Sequence, residues 1–199
     1  MLAASSAGRT DANAVPRLRL LLLVRGVVAR LPTCHTASVS DVQRGDPRLK
    51  EWVSAPAHEL AEIRRSTEAW NRGEFEQWIA GFAADCEWYP ATERGLLGES
   101  TPIRGHDGLR AFAREASQHW EHYRNEVTDL LRRGRLSLVL GRFRARGRSS
   151  GVEIETPMFW VMERNDAGKS IWARSFVDLD DALASAAQRN PTTDAMRRD

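Results

Sequence analysis

Cysteine is nearly missing from this sequence: Cys34 and Cys86 are the only two in 199 residues. Two thiols make no disulfide framework, and neither has a partner at zinc-site spacing. Reduced thiols in the cytoplasm are the expectation. Lysine is as scarce, present only as Lys50 and Lys169. Long apolar runs are lacking too. Within "VPRLRLLLLVRGVVARLP" the longest uncharged run is Leu20 to Val24, bounded by Arg19 and Arg25. That is too short for a secretory core or a bilayer span, so no stable membrane insertion is expected. No Trp, Tyr or Phe precedes Trp52. An aromatic-free stretch builds little core, which places a boundary near Ala55. Residues 1–55 read as a disordered leader or an overextended start; a transit peptide and a basic helix touching a membrane surface are the other readings.

Phosphate-binding glycine loops, nucleophile elbows and dinucleotide fingerprints are also missing, so no cofactor is expected. Net charge is +2, unevenly spread: residues 1–51 hold eight Arg or Lys against four acids, and residues 52–199 hold 21 against 23. A near-neutral body argues against a nucleic-acid partner bound by phosphate neutralisation. His119 and His122 stand three apart in "HWEH" but lack a third ligand, so no metal is expected.

What is there is a pattern. "APAHELAEIRRSTEAWNRG" carries Leu60, Ile63, Thr67 and Trp70 at helical spacing, and Gly73 is placed to end that helix. "EFEQWIAGFAAD" restarts with Phe75, Trp78, Ile79 and Phe82 as a second stripe. "CEWYP" reads as a short strand, and residues 91–102 as a loop. A third helix follows Gly105, with Leu109, Phe112, Ala113, Ala116 and Trp120 on one face. Alternating segments near 123–132, 135–147, 152–163 and 170–178 predict strands, and "LDDALASAAQ" a closing helix. The fold class is α+β: a strongly curved antiparallel sheet with helices from the first half of the domain. The domain spans 56–187, and residues 188–199 read as a flexible tail.

"RSSG" predicts a hairpin turn. With Ser149 and Ser150 as its loop residues, Arg146 faces Glu153 and Arg144 faces Glu155, as surface ion pairs. The other ribbon face then pairs Ala145 with Ile154, Phe143 with Thr156, Gly141 with Met158 and Val139 with Trp160. Further along, the arginine-bearing face turns apolar through Leu136, Leu138, Leu140, Phe159 and Val161. A sheet apolar on both faces must cover both. Helices cover one, and a second copy of the chain is expected on the other, making a homodimer.

The segments "AWNRGEFEQWIAGFAADCEW", "IRGHDGLRAF", "GRFRARGRSSGVEIE" and "GKSIWARSFVDLDDALASA" together resemble the SnoaL-like proteins of the nuclear-transport-factor-2-like, ketosteroid-isomerase-like superfamily, over about residues 57–187. The resemblance implies a cone: a curved sheet wrapped around three helices, with a pocket between them. It implies either a cofactor-free isomerase, cyclase, dehydratase or epoxide hydrolase acting on lipophilic molecules, or a module that only binds or dimerises. Fold alone does not choose. Ketosteroid isomerases carry a tyrosine, an aspartate base and a donor acid at positions that align here with Ser66, Pro90 and Trp160. None keeps the needed group, so steroid isomerisation is not expected.

The same alignment turns Trp160 toward the pocket, and alternation brings Thr156 and Met158 with it. Trp88, rather than Tyr89, is the expected cavity residue of the first strand. On the last strand Trp172, Arg174, Phe176 and Asp178 are expected inward, Arg174 and Asp178 being the polar members that chemistry would use. The plainer reading of Arg174 and Asp178 is a structural ion pair at the rim. The expected occupant is a hydrophobic small molecule.

Overall fold

A computed structural model describes residues 46–91 and 102–189. The readings of residues 1–45, of 92–101 and of the tail from 190 lie outside the described residues. A 3-10 turn at Pro47–Leu49 leads into β1 (Val53–Ser54). Then come α1 (Ala57–Asn71), α2 (Phe75–Ile79), β2 (Phe82–Tyr89), β3 (Ile103–Arg104) and α3 (Gly105–His119). β4 (Trp120–Arg133), β5 (Leu136–Gly147), β6 (Glu153–Arg164), β7 (Ser170–Phe176) and α4 (Leu179–Arg189) complete the chain.

The α1 stop is chemical. Gly73 sits at φ +76, which lets Gly73 N donate to Trp70 O at 2.9 Å and Glu74 N to Ala69 O at 2.8 Å. A residue with a Cβ is strained in that conformation. α2 is shorter than its apolar stripe suggests. Gly81 lies close under Trp78 O and Ser66 Oγ, and its carbonyl accepts from Ser170 N at 3.0 Å. That bond opens a ladder, so Phe82 starts a strand and not another helical turn. The third helix is shorter than expected as well: Trp120 is already extended and pairs with Gly147.

The sheet order is β1-β4-β5-β6-β7-β2-β3. Its pairs are antiparallel except β2–β7, which runs parallel, a departure from the all-antiparallel expectation. Register shifts in β4 between Glu121 and Arg124 and between Val127 and Asp129 are bulges, and His122 takes φ +53 within the first. Bulges bend and twist a strand, and here the open sheet curves around α1, α2 and α3. Among the described residues no helix is long and apolar enough to cross a membrane.

Two layers cover the two faces. On the concave side, Trp70, Leu109, Phe112 and Ala113 of the helices pack against β2, β4, β5 and β6. On the convex side, Leu136, Leu138, Leu140, Phe159 and Val161 join Leu179, Ala182 and Ala186 of α4 and Leu49 and Trp52 of the leading segment. Those five sheet residues are each at most 5% exposed in the single chain. The expected cover by a second copy is corrected: the chain covers this face with its own α4 and with Leu49 and Trp52. The boundary drawn at Ala55 also moves upstream: Leu49 and Trp52 are buried, and Val53 pairs with Arg132.

Candidate functional site

The β5–β6 ribbon has the register read from its turn. Arg146 faces Glu153, Arg144 faces Glu155, Ala145 faces Ile154, Phe143 faces Thr156, Gly141 faces Met158 and Val139 faces Trp160. The loop is wider than two residues, closed by Gly147 N to Val152 O at 2.9 Å and Gly151 N to Gly147 O at 2.7 Å. Glu155 accepts from Arg142 at 3.0 Å and Arg144 at 3.1 Å, and these guanidiniums, Arg144 first, hold its carboxyl below the ordinary range. Glu153 is exposed and makes no such pair with Arg146 among the described residues. Both glutamates are therefore on the convex, solvent side.

The other side of the ribbon is the wall of interest. Thr156 and Met158 are buried, and Trp160 is partly exposed. Trp160 lies in the middle of the sheet, yet its cross-strand neighbours Val139 and Ser175 are 1% and 4% exposed. Gly141 makes room for the indole: a Cβ there would stand 3.0 Å from Trp160 Cζ3 and inside contact distance of Glu126 O.

Aromatic rings continue the wall. Trp88 donates its indole N–H to Ser175 Oγ at 3.1 Å and meets Phe112 edge-on at 4.7 Å and Trp78 at 5.6 Å. Trp70 meets Tyr123 at 5.3 Å, and Tyr123 meets Phe143 at 4.9 Å. Edge-to-face pairs at these separations fix ring orientation as well as burying area. The Tyr123 ring keeps some exposure, but its hydroxyl is deep in the protein, and that burial pushes its phenol up to about 12. Burial likewise raises the Cys86 thiol. Both stay neutral and protonated at pH 7. Asn71 clamps α1 to β4, donating to Asn125 O and accepting from Asn125 N, each at 2.8 Å. This clamp places Asn125 beside Tyr123 on the concave face, with its Oδ1 buried and unpartnered.

β7 does not present its large side chains to this wall. Trp172 and Phe176 lie in the convex cluster under α4, and Arg174 stacks at 5.4 Å from the Tyr89 ring and 5.6 Å from Phe176. Ala173 and Ser175 take the concave side, opposite Met162 and Trp160. The expected inward turn of Trp172, Arg174, Phe176 and Asp178 is corrected. Apolar residues occur on both faces of β7, so alternation does not say which is inside; pairing with Phe159 and Val161 decides it. Asp178 is exposed and caps α4, its carboxylate accepting from Asp181 N at 3.1 Å. So Trp88, Thr156, Met158 and Trp160 are brought together, and Arg174 and Asp178 lie across the sheet from them. Tyr123, Asn125, Met162 and Arg164 are site neighbours that sequence reasoning missed. Tyr123 stands where the expected third helix meets the strand expected near 123–132, so the sequence does not say which face it takes. Among the described residues no group of three or more His, Cys, Asp or Glu is placed to hold a metal ion.

The sequence profile of the SnoaL-like domain matches residues 63–181. Among solved structures, an NTF2-like protein from Burkholderia pseudomallei K96243 superposes with a TM-score of 0.54 at 21% identity, covering 67% of this chain and 97% of that one. A protein with a ketosteroid-isomerase-like fold from Catenulispora acidiphila DSM 44928, in complex with trimethylamine, gives 0.52 at 13%, covering 65% and 92%. TerC, co-crystallized with polyporic acid, gives 0.52 at 18%, covering 65% and 98%. A search of curated proteins finds no match.

Proposed function

Because the chain belongs to the SnoaL-like domain family, we propose that it is a non-catalytic binding domain for a flat, apolar small molecule, held between α1–α3 and the concave face of the sheet. One observation carries this reading. Trp160 sits at the centre of a face covered by helices, with fully buried neighbours on both sides, and still exposes part of its indole. An exposed ring in that position needs open space beside it, because close packing would have buried it. Aromatic walls with a few neutral polar groups suit a planar ligand. Two proteins of similar fold hold small molecules, trimethylamine in one and polyporic acid in the other.

Binding without turnover fits the polar groups available. The polar groups beside Trp160, namely Tyr123, Cys86, Thr156, Ser175 and Asn125, are all uncharged and offer no base at pH 7, and the charged Arg164 of the same face lies beyond Met162 with Glu59 and Glu62 about it. The alternative, acid–base chemistry through Arg174 and Asp178, has less support, since both lie on the far side of the sheet from Trp160. Among the described residues Cys86 is free and buried, which fits a cytoplasmic setting.

The test is a titration with N-phenyl-1-naphthylamine, a neutral dye that brightens in apolar sites. Wild type is expected to bind it, Trp160→Ala about tenfold more weakly, and Asp178→Asn as wild type does. A dye that stays dark with wild type, or binds Trp160→Ala equally well, would overturn the reading.

A further inference from the structure

The concave face of β6 carries a strip that ends in a charge. Trp160, Met162 and Arg164 alternate with Val161 and Glu163 and so share one face. All three are partly exposed, while Val161 between them is 0% exposed on the other face. Leu60 and Ile63 of α1, also partly exposed, pack with Trp160 and Met162 against Val127, Leu130 and Val139. The strip is thus apolar on both sides. From Trp160 to Arg164 it runs about 13 Å, the length of a small fused-ring molecule with a substituent.

Arg164 is held only by two long ion pairs, to Glu62 and Glu59. Its side chain is only 15% exposed. Its Nε is buried and has no hydrogen-bond partner. Its nearest carboxylate oxygens are Glu62 Oε2 at 3.7 Å and Glu59 Oε2 at 3.9 Å, both beyond hydrogen-bond range. Glu59 is already committed, accepting from Arg132 Nη1 at 2.6 Å. Glu62 is half exposed and free to turn to solvent. A largely buried guanidinium whose Nε makes no hydrogen bond and whose ion pairs are long is costly, and an oxyanion is the group that best relieves it, through two parallel N–H bonds.

We infer that the ligand of this site is an apolar molecule with one terminal oxyanion, a carboxylate or an enolate, whose rings lie along Trp160 and Met162 and whose charge meets Arg164. This rests on the concave binding site proposed above, and adds the ligand's charge and its direction in the site.

Two dyes separate the two ideas. 1-Anilinonaphthalene-8-sulfonate has the skeleton of N-phenyl-1-naphthylamine plus one anionic group. Arg164→Gln is expected to weaken the sulfonate dye about tenfold, the value of one charge-assisted hydrogen-bonded contact, and to leave the neutral dye within about twofold. Glu62→Gln, an exposed change, is expected to tighten the sulfonate dye severalfold and leave the neutral one unchanged. If Arg164→Gln moves both dyes alike, or neither, the oxyanion assignment falls and the concave site stands. If wild type binds neither dye, both fall. Should Arg164→Gln melt early, Glu62→Gln decides: unchanged or weaker sulfonate binding overturns the inference.

Discussion

The indole of Trp160 lies over the backbone of Gly141, with Cζ3 3.0 Å from where a Cβ would stand and Glu126 O closer still. A glycine in the middle of a strand weakens it unless something needs the space. Here two things do: the ring that fronts the concave face, and the bulged β4 carbonyl across the ladder.

Gly141→Ala is therefore expected to be overpacked. Backbone at Glu126 cannot swing aside, so the loss should reach about 1–3 kcal/mol in urea unfolding. The Trp160 ring must also shift, changing the emission maximum. A variant as stable as wild type would show that the sheet relaxes there freely.

The convex face gives a second prediction. Leu138 is fully buried between β5 neighbours and α4, so Leu138→Ala should cost about 2–5 kcal/mol. Removing residues 179–199 should expose the Leu136, Leu138, Leu140, Phe159 and Val161 patch and drive association in sedimentation velocity. A truncated chain that stays monomeric and folded would contradict the covering role of α4.

This face also shows what the sequence could and could not tell. The hairpin register was legible because "RSSG" fixed the turn and alternating Arg and Glu marked the wet side at Arg144 and Glu155. β7 was not legible. Ile171, Ala173 and Ser175 alternate with Trp172, Arg174 and Phe176, and neither set is clearly polar. The expected inward turn of Trp172 and Phe176 has no polar face to check it against; the cover supplied by α4 puts them outside. A second copy is expected on the Leu136–Val161 face only when the helices are taken to cover one face of the sheet; α4, Leu49 and Trp52 cover the other. Arg164 carries no mark in the sequence; its buried, unpartnered Nε is visible only in the structure.

Alkaline pH tests the buried phenol. Burial raises Tyr123 to about 12, and burial raises Tyr89 too. A raised phenol favours the folded state below its unfolded value, about 10, and that stability drains away as pH climbs from there through the folded value. Unfolding midpoints should fall between pH 10 and 12, and Tyr123→Phe should fall less steeply. In Tyr89→Phe, where Tyr123 is the one tyrosine left, absorbance at 295 nm should show almost no tyrosinate at pH 10. A signal near half-maximal there, as a phenol titrating near 10 would give, would place Tyr123 in water.

Acid tests Glu155. Its carboxyl is depressed by Arg144 and Arg142, so its contribution is complete above its unfolded value and vanishes as pH drops through the lower folded one. The side chain is 49% exposed, and after screening Glu155→Gln should cost at most about 1 kcal/mol at pH 7. The difference from wild type should disappear at strongly acid pH. A difference that persists there would mean that packing, not charge, holds Glu155.

The central claim is that the ligand sits on the Trp160 face. The chain has seven tryptophans, and their indole N–H signals in a nitrogen-15 NMR spectrum report on both faces at once. On adding N-phenyl-1-naphthylamine, Trp160 and Trp88 should shift, while Trp52 and Trp172, packed under α4 on the convex side, should hold still. Movement of Trp172 or Trp52 with Trp160 unmoved would contradict the account.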